Sequence, residues 1–138
     1  MQNVLWGMLL VFAVTSHAGT PEKTFESWRV GEDYVVFVNF KHKGMKISKG
    51  CEDAKSNCQV WKILAAVSTK QLGASDLIGG KNPGASLCHK QKNAQILFAR
   101  NVKGRQGTFC VFSDGSMVDS GGLLMAAKMN DAKKAGQP

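Results

Sequence analysis

The sequence lacks an apolar run long enough to form an ordinary membrane-spanning helix, which needs roughly 20 residues. The longest apolar stretch, residues 4–14, is followed by the pattern Ser-His-Ala at residues 16–18. This arrangement predicts a signal peptide over residues 1–18, cleaved before Gly19. The segment contains no Lys or Arg, so its retention as an uncleaved anchor is the alternative. No cysteine lies near the cleavage point, which excludes a lipid-modified amino terminus.

Histidine is also scarce, since only His42 and His89 follow the predicted signal peptide. Zinc sites in small domains use close pairs of ligands, such as C-x₂-C or H-x₃₋₅-H. Here six residues separate the first two cysteines, Cys51 and Cys58. The spacing therefore predicts no metal site, and no pattern indicates a cofactor.

The four cysteines all lie in the 120 residues that follow residue 18. In an exported chain of this size they predict two disulfides, for which three connectivities are possible. Cys51 and Cys58 bracket a short polar loop, whereas Cys88 and Cys110 bracket a predicted helix-to-strand crossing, and we pair them accordingly. The expected location is the periplasm or the exterior of a bacterial cell.

Acidic residues are few, with 10 Asp and Glu against 18 Lys and Arg, and the net charge is +8. This excess favours anionic partners such as an anionic polymer or a membrane surface, and the alternative is a basic surface without a specific ligand. No zinc-finger spacing, RNP-type motif or basic heptad helix is present, so sequence-specific nucleic-acid binding is not expected. The predicted basic surface combines four outward-projecting lysines of one loop with three cations further along the chain; these are Lys41, Lys43, Lys46 and Lys49, and Arg100, Lys103 and Arg105.

The first half of the mature chain, residues 19–80, is predicted to form a strand, a hairpin and a helix. Residues 19–32 lack a sustained period and are expected to form a connecting arm with Trp28 tucked in. Residues 33–40 are rich in β-branched and aromatic types and predict a strand, with a hairpin turn at Gly44. Apolar residues at 60, 63, 64 and 67 predict an amphipathic helix. Glycines at 79 and 80 mark a candidate domain boundary.

The second half, residues 81–128, is predicted to form a helix, a β-hairpin and a final short helix. Asn82 and Pro83 suit the N-cap and first positions of a helix. Residues 94–99 and 108–112 predict strands, residues 113–116 a tight turn, and Asp119 or Ser120 a cap for the last helix. Residues 129–138 are expected to be a polar, frayed tail. The predicted fold class is α+β, a small antiparallel sheet with two or three helices and two disulfides.

The letters Asp119-Ser-Gly-Gly122 match those around the nucleophilic serine of trypsin-like proteases, but other parts of that site are missing. Val118 occupies the place of the glycine that helps form the oxyanion hole, and no histidine is placed beside Ser120. The neighbours Cys88 and His89 suggest a thiol nucleophile, yet adjacent helical residues do not face each other. We therefore expect no enzymatic activity.

Two segments of the second half carry a family resemblance. Residues 82–88, Asn-Pro-Gly-Ala-Ser-Leu-Cys, and 107–116, Gly-Thr-Phe-Cys-Val-Phe-Ser-Asp-Gly-Ser, resemble a short domain of bacterial envelope lipoproteins that bear a haemolysin label. The resemblance covers residues 81–128. It implies that Cys88 pairs with Cys110, that the first helix opens at Asn82-Pro83, and that Asp114-Gly115 makes the hairpin turn.

The family also implies an envelope location, without an established activity. Ser113 replaces the proline and Leu87 the aromatic residue usual in the family. Gly121 and Gly122 stand where its members tend to have an acidic residue and tryptophan, so the packing of the last helix is expected to differ. The lipid-modified cysteine common in the family is absent.

The predicted function is that of an exported, non-enzymatic binding or structural component of a bacterial envelope, with a protein partner. A protein is favoured over a polymer because the apolar residues exceed what a small core can cover. The alternatives are an inhibitor that presents residues 101–107 or 113–119 to a secreted hydrolase, and a basic module that binds polyanions or cell wall. The apolar residues in question are Trp28, Trp61, Leu77, Ile78, Leu123 and Leu124.

Overall fold

The computed structural model describes residues 23–137, and the predicted signal peptide lies outside them. Six antiparallel strands close into a barrel in the order β1-β2-β3-β6-β5-β4. Within residues 23–137 no helix is both long and apolar enough to cross a membrane. The strands are β1 Lys23–Val30, β2 Asp33–Phe40, β3 Met45–Ser48, β4 Gln95–Asn101, β5 Gln106–Val111 and β6 Met117–Asp119, and the helices are α1 Gln59–Ala66, α2 Pro83–His89 and α3 Ser120–Lys134.

The predicted mixture of helices and antiparallel strands is confirmed, and the sheet is a closed barrel. The prediction of a connecting arm over residues 19–32 is wrong for residues 23–30, because these form strand β1. This strand pairs with β2 along its whole length and with β4 through Trp28 to Val30. Trp28 and Val30 point into the barrel and Arg29 points out. The polar residues of the strand make this inward–outward alternation difficult to recognise in the sequence. Pairing on both sides supplies the order that the local sequence does not indicate.

Aromatic side chains fill the barrel interior. The Phe109 ring lies 4.3 Å from that of Phe37 and 5.2 Å from that of Trp28, measured between ring centroids. Gly107 makes room for this cluster, because a Cβ at that position would lie 2.9 Å from the Trp28 ring. The barrel therefore has a packed core of its own.

A second core lies between the helices and one outer side of the barrel. Val38 and Ile47 contribute from the strands, and Leu64, Leu87 and Leu123 from the three helices. The disulfide between Cys88 and Cys110 joins α2 to β5 inside this core, and the second disulfide joins Cys51 to Cys58. Both predicted pairings are confirmed.

Side-chain caps fix the starts of the second and third helices. The Asn82 Oδ1 accepts hydrogen bonds from the backbone N–H groups of Gly84 and Ala85, at 3.0 and 3.2 Å. Asp119, rather than Ser120, caps α3 by accepting from the Gly122 N–H at 3.0 Å. Both caps occupy the residues that the sequence indicates.

The last helix runs through Lys134, so the first part of the predicted tail is helical rather than frayed. Asp131 anchors it, because its carboxylate accepts from the Ser68 Oγ at 2.6 Å and from the Thr69 N–H at 2.9 Å. These hydrogen bonds hold the Asp131 pKa below its usual range. A polar residue thus orders the segment through a contact distant in sequence.

The two predicted halves contribute three strands each to one barrel. β1 pairs with β4, and β3 pairs with β6, across the candidate boundary at residues 79 and 80. Of the apolar residues expected to exceed what the core can cover, Trp28 and Leu123 are buried, whereas Leu77 and Ile78 are exposed. Trp28 is tucked in as expected, but within a strand that was not predicted.

Candidate functional site: an open barrel face with two arginines

The helices cover only part of the barrel exterior. On β2, the outward residues Val38 and Phe40 lie beneath helices, whereas Tyr34 and Val36 are exposed. The same side of the molecule includes the outward residues of β1, β4 and the start of β5. We call this surface the open face, and it comprises Phe25, Arg29, Tyr34, Val36, Phe98, Arg100, Val102 and Gln106.

Strand register places four of these side chains in a row. Arg29 stands opposite Tyr34 of β2 on one side and opposite Arg100 of β4 on the other. Arg100 stands in turn opposite Gln106 of β5. Neighbouring strands are about 4.8 Å apart, so the row crosses roughly 14 Å of the surface. It is a contiguous polar line on a curved sheet.

The two arginines at the centre of the row are like charges in directly opposite positions. Such a pair destabilises a sheet. Within residues 23–137, the ion pairs join Lys90 to Asp76 and Arg105 to Glu26, and neither involves these arginines. The Arg29 Nε donates to the Gly31 carbonyl at 3.2 Å. Within the described part of the chain, neither arginine therefore has a carboxylate partner in direct contact.

Exposed aromatic rings flank the arginines. The side chain of Phe98 is 79% exposed and that of Tyr34 is 68% exposed. A cleft of about 420 Å³ lies between Phe98, the two arginines and Gln106. Aromatic residues and arginine are the types enriched at the centres of protein interfaces.

The predicted basic surface is not a single patch. The lysine loop was expected to project all four side chains outward, but Lys43 and Lys46 are half-buried. The Lys43 Nζ lies 5.8 Å from the centroid of the Trp61 ring, and the Lys49 Nζ lies 5.7 Å from that of Phe25. Cation–π attraction and apolar contact hold these long side chains against the surface. Lys41 is exposed.

The three remaining predicted cations lie on and beside the β4–β5 hairpin. Arg100 belongs to the open face, Lys103 is exposed at the hairpin tip, and Arg105 forms an ion pair of 3.1 Å with Glu26. Of the seven predicted basic residues, the structure thus brings Arg100 into the row with Arg29. Arg29 was missed because its strand was not predicted, and a weak alternation over residues 23–30 was the available signal.

The hairpin tip is internally braced. The Asn101 Oδ1 accepts from the N–H groups of Lys103 and Arg105, at 3.0 and 2.9 Å. Val102 is 81% exposed beside it. The tip is therefore a preorganised loop.

The other loop considered for inhibition, residues 113–119, packs against α1 instead of standing free. Asp114 Oδ2 accepts from the Gln59 N–H at 2.6 Å, and Ser116 Oγ accepts from the Val60 N–H at 3.1 Å. The turn thus caps a helix more than 50 residues away in sequence. Desolvation raises the pKa of Asp114, but the hydrogen bonds from Gln59 and Ser116 outweigh it and lower the pKa overall.

Ser120 is buried at the start of α3, where its Oγ accepts a hydrogen bond from Asn82 Nδ2 at 3.0 Å. Neither His42 nor His89 is hydrogen-bonded to it. The neighbouring Asp119 is largely withdrawn from water, and this desolvation raises its pKa despite the hydrogen bonds from Lys46 and Gly122. Over residues 23–137, no three His, Cys, Asp or Glu side chains cluster closely enough to hold a metal ion.

The chain matches no protein-family model, no curated protein and no solved structure. The resemblance of residues 81–128 to the haemolysin-labelled family therefore depends on the motif residues alone.

Proposed function

We propose that the chain is an exported, non-enzymatic binding protein of a bacterial envelope that binds an acidic surface of a partner protein through its open face. Two disulfides indicate an oxidising, extracytoplasmic compartment. The observation that carries the proposal is the cross-strand pair Arg29 and Arg100 between the exposed rings of Phe98 and Tyr34.

The open face should have a lower free energy when a partner covers it than when it is exposed to water. Opposed arginines repel each other, and exposed rings leave apolar area in water. An acidic partner surface relieves both, because carboxylates pair with guanidinium groups and apolar side chains cover the rings. The rest of the barrel supports this face rigidly, since its interior is filled by aromatic side chains.

Site-specific photocrosslinking tests the proposal. The change Phe98→p-benzoylphenylalanine places the reactive group on the open face, and the same change at Lys62 places it on the exposed side of α1 as a matched control. We expect position 98 to capture a defined protein in bacterial envelope extract under oxidising conditions, and position 62 not to capture it. Capture should decline in 1 M NaCl, where the Debye length is about 3 Å. Equal capture at both positions, or none at position 98, contradicts the proposal.

The braced hairpin tip supports a second candidate, inhibition of a secreted hydrolase. A loop that is ordered before binding loses less entropy on association, and Asn101 holds this one with two hydrogen bonds. A panel of secreted proteases and wall hydrolases tests it at micromolar protein. If the hydrolysis rates are unchanged across the panel, inhibition is excluded, and the proposal of an acidic protein partner is unaffected.

We also propose that residues 81–128 share ancestry with the haemolysin-labelled envelope lipoproteins. The Cys88–Cys110 disulfide, the Asn82 cap and the turn at Asp114-Gly115 support this, since the motif implies all three. An alignment that places other residues at those positions in close relatives contradicts it.

A further inference from the structure

The cleft on the open face has an unusual set of donors. It is lined by Arg29, Gly31, Phe98, Ala99, Arg100 and Gln106. Arg29 uses its Nε–H for the Gly31 carbonyl, which orients the guanidinium and leaves its terminal amino groups available. Within residues 23–137, Arg100 has no carboxylate partner. Two guanidinium groups and one carboxamide therefore border the same small space.

The cleft also has an apolar wall. Phe98 is among the most exposed large side chains of the described residues. A guanidinium fork matches the two oxygens of a carboxylate, and a ring beside it contacts an apolar group attached nearby. This combination fits a negatively charged group with an apolar neighbour better than an isolated ion.

We propose that this cleft binds the carboxylate of an acidic side chain on a partner protein, with an adjacent aromatic or aliphatic side chain packed on Phe98. Arg29 and Arg100 donate to the carboxylate, and Gln106 donates at its edge. The proposal rests on the proposed function and names the chemistry that the open face recognises.

Charge distinguishes this occupant from the two others that a basic face could accept. A second copy of the chain, docked by twofold symmetry over the cleft, would bring four arginines together. A long polyanion would need a row of free cations, but nearby Arg105 is paired with Glu26, and Lys49 lies over the Phe25 ring. Arg29 and Arg100 stand directly opposite each other beside the exposed Phe98 ring, and this compact pair of cations suits a discrete acidic group.

The test uses small peptides and the purified mature protein with both disulfides intact. Backbone amide shifts are followed by NMR during titration with Ac-Glu-Phe-NH₂, with Ac-Gln-Phe-NH₂ as the uncharged control. We expect the shifts to centre on Gly31, Ala99 and Gln106, and the glutamine peptide to bind at least about tenfold more weakly, because a charge-assisted interaction is lost.

Variants locate the site. Arg29→Gln and Arg100→Gln should each weaken the glutamate peptide by about tenfold, whereas Lys62→Gln removes the same charge from α1 and should change nothing. All three positions are exposed, and unchanged melting temperatures will show that the variants fold. A cleft that binds the peptide equally well without Arg100 overturns the proposal.

Three other outcomes also overturn it. Binding of heparin with shifts spread over many lysines, and none from the peptide, indicates a polymer surface. Dimerisation that Arg100→Gln strengthens indicates a second copy. Shifts centred away from the cleft indicate another peptide site. If the peptide binds but no protein is captured at position 98, the proposed function is refuted and the carboxylate site in the cleft stands. If a protein is captured but the peptide does not bind, the carboxylate site is refuted and the proposed function stands.

Discussion

The two adjacent glycines of α3 provide a sharp test of how this helix packs. A Cβ added to Gly122 would lie 2.5 Å from the Met45 Cβ, 3.0 Å from the Met45 Cα and 2.6 Å from the Asp119 Oδ1. A Cβ added to Gly121 would meet only the Asp119 Oδ2, at 3.2 Å. The changes Gly122→Ala and Gly121→Ala therefore add the same methyl group to the same helical turn in different surroundings.

The magnitude follows from contact distances. Carbon atoms pack at about 3.5–4.0 Å, so Gly122→Ala must move the first turn of α3 about 1 Å away from β3. Overpacking of this kind costs about 1–3 kcal/mol. Alanine also favours a helix over glycine by up to about 1 kcal/mol, but this gain applies to both variants and cancels between them. Gly122→Ala should thus be less stable than Gly121→Ala by about 1–3 kcal/mol.

Thermal and urea unfolding of the oxidised protein measure this difference. For a chain of this size, it corresponds to a separation in melting temperature on the order of 10 °C. The displaced helix should also weaken the 2.5 Å hydrogen bond from the Lys46 N–H to Asp119, which amide hydrogen exchange at Lys46 reports. If Gly122→Ala melts at or above the temperature of Gly121→Ala, the close approach of α3 to β3 is refuted.

Three further predictions concern stability. Gly84→Ala should destabilise the protein by about 3 kcal/mol or prevent folding, because its Cβ would lie within 2.6 Å of the Ser120 backbone carbonyl carbon. Wild-type stability of this variant would show that α2 and α3 are not in contact there. Replacing Cys88 and Cys110 by alanine removes a disulfide with a sequence separation of 22 and should lower the free energy of unfolding by about 3 kcal/mol. This loss should exceed by about 1 kcal/mol the loss from removing the Cys51–Cys58 disulfide, whose sequence separation is 7. Equal losses in urea unfolding contradict this ranking. Asp114→Ala removes a helix cap and should cost about 1 kcal/mol at pH 7. Because the Asp114 pKa is lowered from 3.8, its contribution is present above about pH 4 and lost as the pH falls through the lower folded value. The difference from wild type should therefore narrow as the pH falls below about 4, and a difference that stays constant throughout the acid range contradicts the assignment.

Part of the candidate site could be found from the sequence. Arg100 was predicted as a basic surface residue, and β4 was predicted within two residues of its observed bounds. Arg29 was missed, because Lys23–Val30 mixes charged and apolar residues and shows no sustained period. Its importance arises from its position opposite Arg100, and the two residues are 71 positions apart. No local pattern specifies a pairing over that distance.

The lysine loop projects only part of its charge into solvent for a related reason: Lys41 and Lys49 are exposed, whereas Lys43 and Lys46 are half-buried. The sequence-based prediction assumes that every lysine in the loop points into solvent. In the structure, the Lys43 ammonium lies over the Phe40 and Trp61 rings. A long side chain with an apolar stem packs wherever tertiary structure offers an apolar surface. Trp61 is supplied by α1, so the position of Lys43 depends on how that helix docks.

Features that depend on a few neighbouring residues or on covalent chemistry could be predicted before the fold was known. These are the cap at Asn82, the turn at Asp114-Gly115 and the two disulfides, whereas the choice of Asp119 over Ser120 as the cap of α3 came from the structure. Only the folded molecule shows that six strands close into a barrel, that helices cover one side of it, and that Arg29 stands opposite Arg100 on the other. Caps and turns satisfy nearby backbone groups, whereas closure and face selection depend on pairing and packing between segments far apart in the chain.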